Sequence, residues 1–213
     1  MSHKKMPKDI KVVIFDDNIT IKYPEFKPNL TPKQIFELGS FHDQGGYWRD
    51  IKSIFFKDEL KDTWKKYITK GKCLEGVDVD LLVTPKSAKT KKSKIELNRY
   101  NKKAGTSLEY WHQQNWIEMQ DPYGWVQWYC EFYDGRRSVD DDRQIKRWIN
   151  FTGINSNGNI GRWKINLMNK IIASNSSYDN ENISPTIRQS LQHWGYKLTE
   201  KDFNKYKKIK NKK

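Results

Sequence analysis

The aromatic residues between Trp125 and Phe132 constrain the fold of this chain more than any other feature. Trp125, Trp128, Tyr129 and Phe132 follow one another at spacings of three and four, which places them on one face of an α-helix. Cys130 and Tyr133 widen that face, so we expect a helix that is buried around most of its circumference. Each large aromatic side chain removes roughly 150–250 Å² from water when buried. The spacing therefore predicts a core stripe.

The remaining patterns predict an α+β protein that is predominantly helical. Two β-branched runs, KVVIF at 11–15 and ITIKY at 19–23, flank a polar turn and predict a small N-terminal β-hairpin. The alternating VDVDLLV at 77–83 predicts a strand. In the C-terminal half, capping residues and glycine stops predict an array of five to six short helices, with Asp121 and Ser138 each opening one.

Charge and composition divide the chain into four predicted segments. These are an N-terminal α+β part (1–85), a basic loop or linker (86–103), a helical domain (104–204) and a basic tail (205–213). The linker carries eight basic residues and one Glu, and residues 203–213 carry six Lys and no acidic residue, so these tracts hold almost all of the net charge of +14. Lys outnumbers Arg by 32 to 8, an excess that an AT-rich coding sequence also produces.

Several classes of protein are disfavoured by what the sequence lacks. Two cysteines, Cys73 and Cys130, are too few for a disulfide framework or a four-cysteine zinc site, and we expect an intracellular location. No apolar run reaches the length of a membrane span. The four His show no metal-ligand spacing, and the chain has no nucleotide-binding or catalytic consensus. We therefore expect no cofactor and no metal, and favour a protein without catalytic activity.

Asp140, Asp141 and Asp142 allow two interpretations. Carboxylates in the first turn of a helix are stabilised by its positive end, whereas an acidic cluster that binds metal would serve phosphodiester chemistry. Successive helical residues point about 100° apart, so capping is favoured. Arg136 and Arg137 precede this run, and four of the eight Arg fall within residues 136–147. Either ion pairing with the Asp run or bidentate binding of phosphate explains this density, and the sequence does not choose between them.

Our first functional hypothesis is a non-enzymatic protein that binds nucleic acid, DNA in preference to RNA, through phosphate contacts. An acidic protein is the alternative partner. The candidate phosphate-binding residues are Arg136, Arg137, Arg143, Lys146, Arg147, Lys91, Lys92, Lys94, Lys207 and Lys208.

Two alternatives remain open. One is an enzyme that acts on nucleotides or modified nucleic acid, with a pocket between the glycine-bearing loop and the Arg136-Arg137 turn. Its candidate residues are Gly45, Gly46, Tyr47, Trp48, Arg49 and His112. The other alternative is a structural or packaging component of a virion.

Five blocks of the sequence resemble a protein family. They are TPKQIFELGSF, SLEYWHQQNWI, DPYGWVQWYCEFYDGRRSVDDDRQIKRW, GRWKINLMNKI and SPTIRQSLQHWGYKLTEKD, and they cover 80 of the 213 residues. They are similar to a family of uncharacterised proteins in mimivirus-like giant DNA viruses of protists and in some fungi and algae. The block around Gly45 and Gly46 departs from the family pattern. The resemblance implies a location in a virion or in the host cytoplasm or nucleus, but no activity.

Overall fold

The computed structural model describes residues 22–41, 47–48, 63–83, 96, 98–103, 105–106 and 108–211. Over these ranges the fold is predominantly helical. The α-helices are α1 (Pro32–Glu37), α2 (Leu108–Gln113), α3 (Trp125–Tyr133), α4 (Asp141–Phe151), α5 (Arg162–Ala173), α6 (Pro185–His193) and α7 (Glu200–Lys210). Two 3₁₀-helices cover Thr63–Tyr67 and Val79–Leu81. The predicted array of short C-terminal helices is confirmed.

The predicted β structure is not found in the described residues. Their only β pairing is an isolated bridge between Ile154 and Ile160. The strand expected at 77–83 is wrong, because the segment forms a 3₁₀ turn in which the Asp78 carboxylate accepts the N–H of Asp80 at 3.0 Å. An Asp side chain offers this local alternative to a strand ladder. The hairpin predicted at 11–23 lies outside the described residues except for residues 22–23, which are not in a strand.

Helix α3 lies at the centre of the core, as the aromatic spacing predicts. Trp128, Tyr129 and Phe132 are at most 1% exposed. The ring of Phe26 makes edge contacts with this stripe, with its centroid 5.5 Å from that of Phe132. It also packs edge-on against Trp148 of α4. Neighbours thus cover most of this helix, but Tyr133, which the sequence placed on its buried side, is 39% exposed.

The core draws residues from both sides of the basic 86–103 tract. The Tyr129 hydroxyl donates to the backbone oxygen of Leu30 at 3.0 Å, and Leu30 N–H donates to the oxygen of Gly195 at 3.0 Å. The end of the tract is packed as well, since Asn98 is buried and Arg99 is paired with Glu181. The division into an N-terminal part and a helical domain remains a prediction, but the described residues of both parts share one core.

Helices α4 to α7 surround the C-terminal part of that core, with α5 packed against α4, α6 and α7. The corner between α4 and α5 is tight because Gly161 lies against the end of α4. A Cβ atom on Gly161 would lie 2.5 Å from the carbonyl carbon of Phe151, so a larger residue there would force the two helices apart. In the described part of the chain, no helix has the length and apolar character needed to cross a membrane.

Candidate nucleic-acid interface

The turn between α3 and α4 is held by an ion pair that crosses it. Arg136 donates from Nη1 and Nη2 to the two carboxylate oxygens of Asp121, at 2.9 and 2.5 Å. The Asp121 side chain is fully buried, and that of Arg136 is 27% exposed. Burial alone would lower the pKa of Arg136, but the hydrogen bonds and charge of Asp121 raise it instead. This arginine therefore has a structural partner.

The Asp121 pairing also explains why α3 starts later than predicted. The sequence placed Asp121 as the helix cap, but α3 begins at Trp125 after Gly124, whose φ is 84°. Both carboxylate oxygens of Asp121 accept from Arg136, so the side chain ties two turns together instead of capping a helix.

The three adjacent aspartates diverge, as helix geometry predicts. Asp140 pairs with Arg143, Asp141 accepts the indole N–H of Trp128 at 2.9 Å, and Asp142 accepts from the Tyr23 hydroxyl. Among the described residues, no three His, Cys, Asp or Glu side chains are grouped so as to hold a metal ion.

Ser138 does not cap α4 in the predicted way, because α4 begins at Asp141. Its backbone N–H and hydroxyl both donate to the Asp141 carboxylate, at 3.0 and 2.9 Å. The serine thus fixes the turn before the helix.

The predicted phosphate-binding arginines separate into two groups. Arg136 and Arg143 each contact a carboxylate, whereas Arg137 and Arg147, together with Lys146, have no ion pair to any described residue. Arg137 donates to the backbone oxygen of Phe132 at 2.9 Å and lies over its ring. The binding role of all five residues remains a prediction, but the group without carboxylates is the better placed for it.

A surface row of rings and guanidinium groups continues from Arg147. The Arg147 guanidinium carbon lies 5.3 Å from the Trp194 ring, which stacks on Phe151 at 4.5 Å and 13°. Phe151 is in turn near-parallel to Trp163, at 6.3 Å and 15°. Arg162 lies beside both of these rings, 5.7 Å from Phe151 and 5.9 Å from Trp163. We call these five residues the aromatic–arginine row.

The row is accessible to a ligand. Its three rings and Arg147 are partly exposed, and Arg162 is exposed. Neither arginine has an ion pair to a described residue. Burial lowers the pKa of Arg147, but an arginine keeps its charge at physiological pH. Cations that lie over partly exposed rings and lack a carboxylate form a surface suited to anionic, aromatic ligands.

A cavity of about 590 Å³ opens beside this row at the α4–α5 corner. Phe151 and Arg162 belong to its wall, and Ile149, Ile160 and Ile165 add apolar surface. Three side-chain amides also line it, from Asn150, Asn155 and Asn159. The Asn155 Oδ1 atom accepts the backbone N–H of Asn159 at 2.9 Å, which fixes the loop that closes the cavity.

Besides Lys146, five lysines were predicted to bind phosphate, and the structure describes two of them. Lys207 and Lys208 are exposed on α7, so these residues of the basic tail are helical. That helix is anchored by buried Phe203 and by the Tyr206 hydroxyl, which donates to Asn169 of α5 at 2.8 Å. Lys91, Lys92 and Lys94 lie outside the described residues.

Of the residues predicted to form a nucleotide pocket, Tyr47, Trp48 and His112 belong to the described part of the chain, and the pocket remains a prediction. Trp48 is 1% exposed and packs on Tyr67 and Tyr123, and the Tyr47 hydroxyl donates to the backbone oxygen of Tyr123. Both are therefore in or against the core. His112 is half-buried on α2. Gly45, Gly46 and Arg49 lie outside the described residues.

Two buried groups have perturbed pKa values without forming a recognisable active site. Burial lowers the pKa of His193 to about 3, and its ring stacks on Phe41 and lies 2.9 Å from the Gln189 amide. The Cys73 thiol has a raised pKa because of the adjacent Cys130 thiol and burial. The structure thus brings together two cysteines that are distant in sequence, yet the raised pKa of Cys73 disfavours nucleophilic chemistry.

Sequence reasoning missed Phe151, Trp163, Trp194 and Arg162 as a functional candidate. The one signal in the sequence was their position close to Gly153, Gly161 and Gly195. These glycines mark helix ends, where partly exposed rings from different helices can meet. A comparison of the chain with protein-family models, curated proteins and solved structures finds no match, so the resemblance to the viral and fungal family remains a prediction.

Proposed function

We propose that this protein binds nucleic acid through its phosphate backbone and bases, without catalysing a reaction on it. The observation that carries the proposal is the aromatic–arginine row, in which Arg147 and Arg162 lie over partly exposed rings and neither forms an ion pair with a described carboxylate. Guanidinium groups bind phosphate oxygens in a bidentate manner, and aromatic rings stack on bases whatever the sequence. The two features together favour nucleic acid over an acidic protein, which offers charge but few stacking partners.

Further positive charge lies on the helices that carry or contact the row. Lys146 lies on α4 next to Arg147, and Lys207 and Lys208 are exposed on α7, which packs on the same α5 that carries Arg162. Such exposed cations add affinity that does not depend on sequence and that falls as salt rises. The five lysines between residues 86 and 94 add further positive charge in the sequence. We keep DNA as the preferred partner, in a cell or a virion.

The proposal is tested by binding measurements at rising salt. The double variant Arg147→Ala/Arg162→Ala should weaken binding of DNA and make the slope of log K against log [salt] shallower by about 2, because each lost phosphate contact removes about 0.9 from the slope. The measurement is filter binding from about 50 to 200 mM salt.

The matched control is Lys33→Ala/Arg99→Ala, which removes the same charge from cations that are paired with Glu37 and Glu181. This control should keep the wild-type slope, since its cations are already neutralised. Affinity that ignores salt, or that falls equally in both double variants, would rule out a specific role for the row.

A further inference from the structure

We infer that the cavity at the α4–α5 corner holds an unpaired nucleobase, with Arg162 at the neighbouring phosphate, so that single-stranded nucleic acid is the preferred ligand. This inference rests on the proposed function and narrows it to one class of ligand. It is carried by the lining of the cavity, which is separate from the charge of the row.

The cavity offers the contacts that a flat aromatic base requires. Its volume of about 590 Å³ falls within the range of roughly 300–1,000 Å³ that is usual for small-ligand sites. The partly exposed ring of Phe151, which is stacked on Trp194, adds aromatic surface to the wall, and Ile149, Ile160 and Ile165 supply apolar contacts. Contact between a base and such a wall accepts any base, because every base has a π face.

The side-chain amides of the cavity supply hydrogen-bond donors and acceptors for the edge of a base. A side-chain amide carries both donors and acceptors, as does the hydrogen-bonding edge of an unpaired base. The Asn155 Oδ1 atom is occupied by the N–H of Asn159, but within the described residues its Nδ2 group has no partner. The Asn150 and Asn159 side chains likewise make no hydrogen bond to a described residue. A base in a duplex already uses its edge for pairing, so these amides favour a single strand.

The corner is built to hold Arg162 in place at the rim. Gly161 N–H donates to the oxygen of Gly153 at 2.9 Å, and the bridge between Ile154 and Ile160 closes the connecting loop. The Arg162 guanidinium lies almost equally far from the rings of Phe151 and Trp163. It is exposed and has no ion pair to a described residue. A phosphate next to a base in the cavity therefore meets a positioned, unneutralised donor.

The test compares four fluorescein-labelled ligands of about 20 units by anisotropy at fixed salt: oligo(dT), oligo(rU), a fully abasic DNA strand and a DNA duplex. The abasic strand keeps the phosphates and removes the bases. Wild type should bind both base-bearing strands about tenfold or more tightly than the abasic strand, because stacking contributes roughly this factor per base. It should also bind them more tightly than the duplex.

The Phe151→Leu variant should bind the base-bearing and abasic strands equally. The Arg162→Lys variant keeps the positive charge but should lose part of the preference for base-bearing over abasic strands. The matched control is Lys170→Ala, which removes an exposed cation from α5 outside the cavity lining and should keep the wild-type preference. Circular dichroism of each variant checks that the helices persist.

Three outcomes would overturn the inference. Equal wild-type affinity for base-bearing and abasic strands, or a preference for the duplex, would overturn the inference. If that binding still depends on salt, the proposed function remains. Displacement of the strand by polyglutamate as readily as by oligo(dT) would identify a site for acidic peptides instead. Absence of salt-dependent binding to all four ligands would overturn both the inference and the proposed function.

Discussion

Two arginine-bearing regions of this protein differ in what their guanidinium groups contact. In the α3–α4 turn, Arg136 is bidentate to a fully buried Asp121, and Arg143 is paired with Asp140. In the aromatic–arginine row, Arg147 and Arg162 lie over rings and form no ion pair with a described carboxylate, although the charges of Asp140 and Glu118 act on Arg147 from farther away. The first region joins the ends of two helices, whereas the second leaves cations on a partly exposed surface.

The difference teaches that the density of arginines in a sequence does not identify a binding site. An arginine that is satisfied by a buried carboxylate cannot be withdrawn to a phosphate without leaving that carboxylate uncompensated. An arginine that stacks on a ring without a carboxylate partner can turn its donors to a phosphate while giving up only neutral contacts, such as the hydrogen bond of 3.0 Å from Arg147 Nη1 to Gln144 Oε1. The type of partner, rather than the number of arginines, therefore separates the structural turn from the candidate interface.

The largest effect should come from breaking the ion pair of the turn. Arg136→Ala leaves the Asp121 carboxylate buried, with the Gln120 amide as its one remaining side-chain donor among the described residues. It should reduce the free energy of unfolding by about 3 kcal/mol, as removal of one partner of a buried pair does. Urea denaturation followed by tryptophan fluorescence measures this loss.

Arg137→Ala is the control for Arg136→Ala, because it removes the adjacent guanidinium, which contacts backbone oxygens and the Phe132 ring. We expect a loss of about 1 kcal/mol or less. If the two alanine variants are equally stable, the Asp121 pair does not hold the turn, and the comparison between the two regions fails.

A pH titration extends the comparison to a group that is buried without any charged partner. The pKa of His193 is lowered by burial to about 3, whereas an unfolded histidine has a pKa of about 6.5. The unfolded state therefore binds the proton between these values, and stability is complete above pH 6.5 and is lost as the pH falls toward 3. From pH 7 to pH 5 the unfolding free energy should fall by about 2 kcal/mol, since each pKa unit corresponds to about 1.4 kcal/mol.

His193→Gln removes this titration and keeps a polar side chain beside Gln189. Its unfolding free energy should depend less on pH than that of wild type between pH 7 and 5, as measured by urea denaturation at each pH. Binding of nucleic acid at the row should be insensitive to the same change wherever the protein is folded, because Arg147 and Arg162 stay charged throughout. Parallel pH slopes for wild type and His193→Gln would show that another group dominates.

The sequence predicts the structural region better than the candidate interface. The spacing of Trp125 to Phe132 identified the core stripe, because a helix imposes its own periodicity. The divergence of the three aspartates followed from the same geometry. The alternation of apolar and acidic residues at 77–83 led to a wrong prediction of a strand. The Asp78 side chain stabilises a turn there, which the alternation does not reveal. Patterns set by local backbone geometry were thus predictable, except where a side chain competed for the backbone.

Contacts between residues that are far apart in the sequence were much harder to predict. The Asp run was the obvious partner for Arg136, but the carboxylate that binds it belongs to Asp121, at the other end of α3. The row joins Arg147 and Phe151 at the end of α4 to Trp194 after α6. No periodicity links these positions. Their proximity depends on how α4, α5 and α6 pack, which the sequence alone did not specify.

The smallest effect on stability should come from the row itself, and it is the sharpest test of the comparison. Arg162→Ala removes a guanidinium from partly exposed rings, a contact that contributes about 0.5–1 kcal/mol at such sites, and should lose at most about 1 kcal/mol in urea denaturation. Arg147→Ala also removes the donor to the buried Gln144 Oε1 atom and should lose about 1–2 kcal/mol. Both losses are below that for Arg136→Ala, while the double variant loses affinity for nucleic acid. A row built for packing would give the opposite pattern, with stability losses as large as that of Arg136→Ala and unchanged affinity per folded molecule. Because binding and unfolding are measured on the same variants, a cation retained for a ligand is distinguished from one retained for the fold.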